Sequence, residues 1–210
     1  MAHLDLNLEE IARRPQRYWD VDGLPELMMG LLWMLWGGAW LLGDALPHGW
    51  RSNTYWAVAP AFLVLSSFAA VWAIKRLKER FTFPRTGYVD WKEPSRSSRL
   101  GAAAVAMVTA MVLAAVAANR DAGVEHVAAP LLGVILSLGF VVASLRQRAP
   151  HLLALAAVAV ALGLAFGALR AGWESVNWLF VALGAASAAL GGLRLVLFLR
   201  KNPRAPLEGS

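Results

Sequence analysis

Long apolar stretches bounded by polar or charged residues set the pattern of this chain. Six of them run over residues 24–43, 55–74, 100–118, 127–145, 152–169 and 176–199. As α-helix each is long enough to cross the hydrocarbon core of a bilayer, about 30 Å thick. The second contains no Asp, Glu, Lys or Arg, and the last is interrupted only by Arg194. Short connections at 44–54, 119–126, 146–151 and 170–175 force consecutive helices to run antiparallel as neighbours. The pattern predicts an all-α membrane protein, a six-transmembrane-helix bundle built from three helical hairpins. The expected divisions are an N-terminal segment (1–23), a first transmembrane hairpin (24–74), a basic loop (75–99), a four-helix transmembrane part (100–199) and a tail (200–210).

The N-terminal segment does not read as a secretory signal, because Asp5, Glu9, Glu10, Asp20 and Asp22 precede the first apolar run. Asn7 followed by Glu10 has the form of a capping box. Leu4, Leu8 and Ile11 then share one side of a short amphipathic helix that Pro15 ends, suited to the headgroup plane. The alternative is a polar tail with a single helical turn. In the first span Pro25 suits the opening helical position, and Trp33, Trp36 and Trp40 fall on one face. That stripe serves either helix packing and lipid contact or an aromatic cleft.

The longest polar insertion, 75–99, carries eight Lys or Arg residues among aromatic ones. Within it FTFPRTGYVDW alternates apolar and polar positions about a Pro-Arg-Thr-Gly turn. This predicts a short β-hairpin, 80–83 paired with 88–91. A lone hairpin is marginal in water, so its aromatic residues need a surface to pack on. Phe81, Phe83, Pro84, Arg85, Gly87, Tyr88 and Trp91 are therefore the candidate docking loop for a partner. The competing reading is a loop whose aromatics dip into lipid headgroups.

Composition agrees with a membrane class. The 210 residues are 58% hydrophobic and 16% charged, against roughly a quarter charged in soluble domains. The net charge of +6 gathers beside the apolar runs, which points to anionic lipid headgroups rather than nucleic acid. With both termini inside, all but three of the 20 Lys and Arg residues (Arg51, Arg120 and Arg170) fall on the inner side. That asymmetry places the termini and the basic loop in the cytoplasm. Arg outnumbers Lys sixteen to four, a bias suggesting a GC-rich bacterial genome, and so a bacterial inner membrane. Cysteine is absent, which excludes disulfides and thiolate metal sites.

Small residues four apart recur: Gly163 with Gly167, Gly184 with Ala188 and Gly192, and Gly133 with Ser137. Such spacing lets helices approach closely in lipid, and it puts the expected core in the last four spans. ALPHGWRS at 45–52 and ALRAGWES at 168–175 share a Gly-Trp-x-Ser turn, compatible with a parallel repeat of hairpins or with chance. DGLPELMMG at 22–30 and FPRTGYVDW at 83–91 resemble a group of small prokaryotic integral membrane proteins of unknown function. That group pairs a D-G-L-x-E lead-in to the first span with a P-R-x-G-Y-V loop after the second. The resemblance covers the first half of the chain and implies no activity and no catalytic residue.

Catalytic patterns are missing: no H-E-x-x-H, no phosphate-cradling Gly-rich loop followed by Lys, no Asp-rich run. His3, His48, His126 and His151 lie at span edges, so neither a haem nor a mid-membrane base is expected, and no cofactor is. The deepest charge is Arg194, on the same side as Glu26. A Glu26–Arg194 ion pair would join the first and last spans. Asp44 with Arg170 is a weaker candidate on the other side. These features favour a non-enzymatic accessory, scaffold or regulatory protein acting through its cytoplasmic loop, with lipid and a protein partner as its contacts. The alternative is a transporter, channel or lipid-handling protein for an apolar or neutral substrate.

Overall fold

The computed structural model describes residues 22–44, 48–86, 125–169, 172 and 174–203. Its five long helices are α1 (Leu24–Asp44), α2 (His48–Leu77), α4 (Glu125–Gln147), α5 (His151–Ala168) and α6 (Glu174–Lys201). A π-helical turn (Lys78–Thr82) and a short α3 (Phe83–Thr86) extend α2 without a break. Among the described residues, four helical stretches are long and apolar enough to cross a membrane: Leu24–Gly43, His126–Gln147, His151–Ala168 and Glu174–Lys201. The molecule is thus compatible with a multi-pass membrane protein.

Six spans in three hairpins is corrected by this count of four. The expected span 55–74 does lie within a helix, α2. However, α2 opens on the polar run His48–Thr54 and closes on Lys75 and Arg76, and it is not among the four. The expected span 100–118 lies outside the described residues, as do the amphipathic segment at 1–21 and the loop residues beyond 86.

The β-hairpin is also corrected. No strand occurs among the described residues, and 80–83 is helical. In a regular α-helix the Pro84 ring would meet the carbonyl four residues back. A widened turn falls where that conflict arises: the Phe83 N–H donates to the Lys78 carbonyl, five residues earlier. The helix begun in α2 therefore continues through Thr86, and alternation over four residues does not outweigh it.

Two antiparallel seams of glycine hold the helices. On α1, Gly23, Gly30 and Gly37 recur every seven residues and meet α6. A Cβ on Gly30 would stand 2.3 Å from the Ala188 nitrogen and 2.5 Å from the Gly184 carbonyl oxygen. One on Gly37 would stand 2.5 Å from the Asn177 carbonyl oxygen. From the other side, a Cβ on Gly191 would lie 2.3 Å from the Leu27 nitrogen. Backbone thus rests on backbone along the whole interface. The second seam joins α4 and α5: Gly133 meets Ala159 and Gly163, and the Pro130 ring sits on Gly167. Small residues replace the missing hydrophobic drive by close packing. The tightest pairing is therefore first helix with last, rather than a core confined to the last four spans.

A third layer closes the bundle. Ala149, Leu152 and Leu155 are buried against Phe140 and Ala143 of α4 and Ala186 and Leu190 of α6. Trp33 of α1 packs edge-on against Phe140 (centroids 5.8 Å apart) and Phe180 (6.3 Å). One residue of the Trp stripe thus ties α1 to α4 and α6. Trp36 turns instead to α2, its indole N–H donating to Ser66 Oγ at 2.9 Å. The outer faces remain apolar: Leu65, Phe68 and Trp72 on α2 and Leu193 on α6 are exposed. The two Gly-Trp-x-Ser turns differ in backbone. Gly49 lies inside α2, whereas Gly172 takes φ +59° in the turn before α6.

Candidate functional site

The α1 start, the α2 end, the α5 start and the last turns of α6 meet at one end of the molecule, and two clusters of charged side chains form there. The first is built on Asp22. Its Oδ1 accepts the Leu24 N–H at 3.1 Å, satisfying a backbone donor left open at a helix start. Its Oδ2 accepts from Lys78 Nζ at 2.8 Å and from Thr82 Oγ1 at 2.7 Å. The Asp22 and Lys78 side chains are 0% and 1% exposed. A buried charge pair is tolerable only when its remaining valences are satisfied, and here three donors share one carboxylate. Lys78 and Thr82 are four apart and both sit in the π-helical turn. That turn therefore holds the end of α2 on the start of α1. Gly23, next to Asp22, takes φ +72°. A Cβ there would press on the Gly191 carbonyl oxygen and Arg194 Cβ, so the chain enters α1 in direct contact with α6.

One turn further along α1, Glu26 organises the second cluster. Its Oε1 accepts from Arg194 of α6 and lies 2.7 Å from His151 Nε2, at the first residue of α5. Arg194 also touches His151 Nε2. Ser187 Oγ donates to the Glu26 carbonyl oxygen at 2.9 Å, fastening the same stretch of α1 to α6. The Glu26 side chain is 9% exposed, Arg194 21% and His151 20%. Glu26 Oε2 is buried with no hydrogen-bond partner among the described residues.

The structure brings Glu26 and Arg194 together and adds a third member, His151, which sequence reasoning had left as an edge histidine. Asp22, Lys78 and Thr82 were not singled out either. The spacing of Asp22 and Glu26, one helical turn apart ahead of an apolar run, was a usable clue. Of the candidate docking residues, Phe81 lies in the π-helical turn and Phe83, Pro84 and Arg85 in α3, with an Arg85 guanidinium nitrogen donating to the Phe81 carbonyl oxygen at 2.6 Å. Gly87, Tyr88 and Trp91 lie outside the described residues, as does Arg170; Asp44 ends α1.

Both clusters are charge-balanced pairs at a helix junction. No group of three or more metal-ligating side chains occurs among the described residues. What they do is lock helices together. No protein-family model matches the chain. No curated protein and no solved structure matches it either.

Proposed function

We propose that this chain is a non-enzymatic accessory, scaffold or regulatory membrane protein that works through its basic end. That end carries the Asp22 and Glu26 clusters and leads into the aromatic-basic loop. The observation supporting this reading is where the ionisable groups sit. Between Glu26 and Asp44, His126 and Arg146, His151 and Arg170, and Glu174 and Arg194 no charged residue interrupts the helices. Ion-coupled carriers usually place such groups near the midplane. Here they sit at the helix ends, and at the basic end they join helices to one another. Transport or lipid handling of a neutral substrate draws on the Trp stripe, but Trp33 and Trp36 are both engaged in packing.

On this reading the basic end faces the cytoplasm of a bacterium, with the protein in the inner membrane. Anionic headgroups and one protein partner then meet the loop. The resemblance noted above is in keeping with this: Asp22 and Glu26 are the two carboxylates of the D-G-L-x-E lead-in, and they anchor the two clusters. A photoreactive side chain at Glu79, exposed at the basic end, should give a discrete protein adduct in native membranes. The same group at Leu169, exposed at the opposite end, should give none. Substrate flux or lipid scrambling by the purified protein in vesicles, with no adduct at Glu79, would overturn the proposal in favour of transport.

A further inference from the structure

Glu26, His151 and Arg194 form a triangle of contacts that no single protonation state satisfies. A guanidinium has only donors, so one terminal nitrogen of Arg194 can serve Glu26 Oε1 and His151 Nε2 together. Nε2 has a single valence to offer, a hydrogen or a lone pair. With a lone pair it accepts from Arg194, but it then faces Oε1, a second acceptor, at 2.7 Å. With a hydrogen it donates to Oε1, but it then opposes the hydrogens of Arg194. The fourth atom of the arrangement is Glu26 Oε2, buried and without a partner among the described residues. A guanidinium displaced from the imidazole finds its acceptor there, on the same carboxylate.

We infer that these three side chains form a proton-binding site at the junction of α1, α5 and α6. His151 Nε2 takes the proton, and Glu26 holds it. Without the proton, Arg194 bridges carboxylate and imidazole. With it, Glu26 bridges imidazolium through Oε1 and guanidinium through Oε2. The proton enters from water, which reaches His151 and Arg194 through their one-fifth exposure, and the cluster's charge rises by one. Imidazole is the side chain suited to this exchange in the physiological range.

The surrounding charges are disposed around that exchange. Asp22, on the preceding turn of α1, has both oxygens occupied by Lys78, Thr82 and the Leu24 N–H. Arg146 of α4, Arg148 of the turn before α5, and Arg200 and Lys201 of α6 are exposed. The change falls on α5, because His151 is its first residue. Among the described residues α5 is also tied by the glycine seam to α4, by the Leu152–Leu155 layer and, at its far end, by Ser175 Oγ of α6 donating to the Phe166 carbonyl oxygen at 3.3 Å. Protonation thus moves the α5 start relative to α6 while the α1–α6 seam stays closed.

The chain has no cysteine, so spin labels can be placed at Leu153→Cys and Leu197→Cys, both exposed. Pulsed EPR of the full chain in nanodiscs at about pH 5 and about pH 8 reads the α5–α6 distance. The expected result is a shift of the dominant distance between the two conditions. The shift should vanish in His151→Gln, which keeps an acceptor for Arg194 but cannot take a proton. A label pair at Leu31→Cys and Leu193→Cys, across α1 and α6, should show no shift. An α5–α6 distance identical at both pH values, or a shift that persists in His151→Gln, overturns the site. The labelled native chain supplies the primary reading, so a folding defect in the variant does not leave the question open. The result is also independent of whether a partner binds the basic end.

Discussion

At the scale of single residues, Asp22 does the most with the least. One carboxylate closes a helix start, neutralises a buried lysine and holds a threonine four residues further on. Asp22→Asn keeps the shape and removes the charge that faces the buried Lys78. Breaking one side of such a pair costs about 3–5 kcal/mol, whereas Thr82→Val, which loses one neutral donor, should cost only about 1 kcal/mol. Reversible unfolding in mixed micelles would measure both, and equal losses would mean that Asp22 acts through shape alone. At Glu26, reversing either charge of the Glu26–Arg194 pair should destabilise the protein, and reversing both should recover part of the loss. Failure of the double variant to recover would show that His151, which also contacts the Glu26 carboxylate, fixes its polarity. Glu26 was legible in sequence as a charge at the edge of the first span; Asp22, one turn earlier, was not singled out. Lys78 was not, because it is one of eight cations in the stretch 75–99 and its partner lies 56 residues away. Nothing in local periodicity carries that pairing.

At the scale of elements, the α1–α6 seam decides how the molecule is assembled. Its glycines lie seven apart on α1, and a methyl group at Gly30 would enter the backbone of α6. Gly30→Ala should therefore cost about 1–3 kcal/mol, the range for overpacking. Gly38→Ala is the matched control, since a Cβ there meets nothing within 4 Å; it should gain about 0.5–1 kcal/mol by restricting the unfolded chain. Thermal unfolding in one detergent would separate the two, and parallel losses would mean that the seam is not the tight contact described. Small-residue spacing in the sequence located two such surfaces: Gly163 with Gly167, which the structure seats on Gly133 and Pro130, and Gly184 with Ala188, which it seats on Gly30. Spacing alone did not say which helices meet. Gly23, Gly30 and Gly37 follow a seven-residue interval hidden among Leu, Met and Trp, so the Glu26–Arg194 pair was the only sign in the sequence that the first helix joins the last, and the glycine seam between them was not expected. The β-hairpin failed for a related reason. Alternation over Arg80–Phe83 is too short to compete with a helix already propagating from α2, whose next turn has Asp22 as a partner.

At the scale of the whole molecule, charge divides the two ends more sharply than any one contact does. The end where α1 and α5 begin and where α2, α4 and α6 finish carries Lys75, Arg76, Lys78, Arg80, Arg85, Arg146, Arg148, Arg194, Arg200 and Lys201. The opposite end of the described helices carries Arg51 alone. Lys and Arg beside a span resist translocation, so a chain inserted by the usual machinery keeps its basic end inside. Helix dipoles act in the same direction for α2 and α6, which end on Lys75 and Arg76 and on Arg200 and Lys201. Because the native chain has no cysteine, single substitutions report position without background. Lys201→Cys should resist a membrane-impermeant maleimide in intact cells and react once the membrane is opened. Leu169→Cys, 70% exposed near the other end, should react in intact cells. Reaction of Lys201→Cys with protection of Leu169→Cys would invert the assignment, and both ion clusters would then face the outside. The proton site at His151 would sample external rather than internal pH. Topology thus determines which compartment the Glu26 junction reports, and the maleimide result fixes it before any partner is sought.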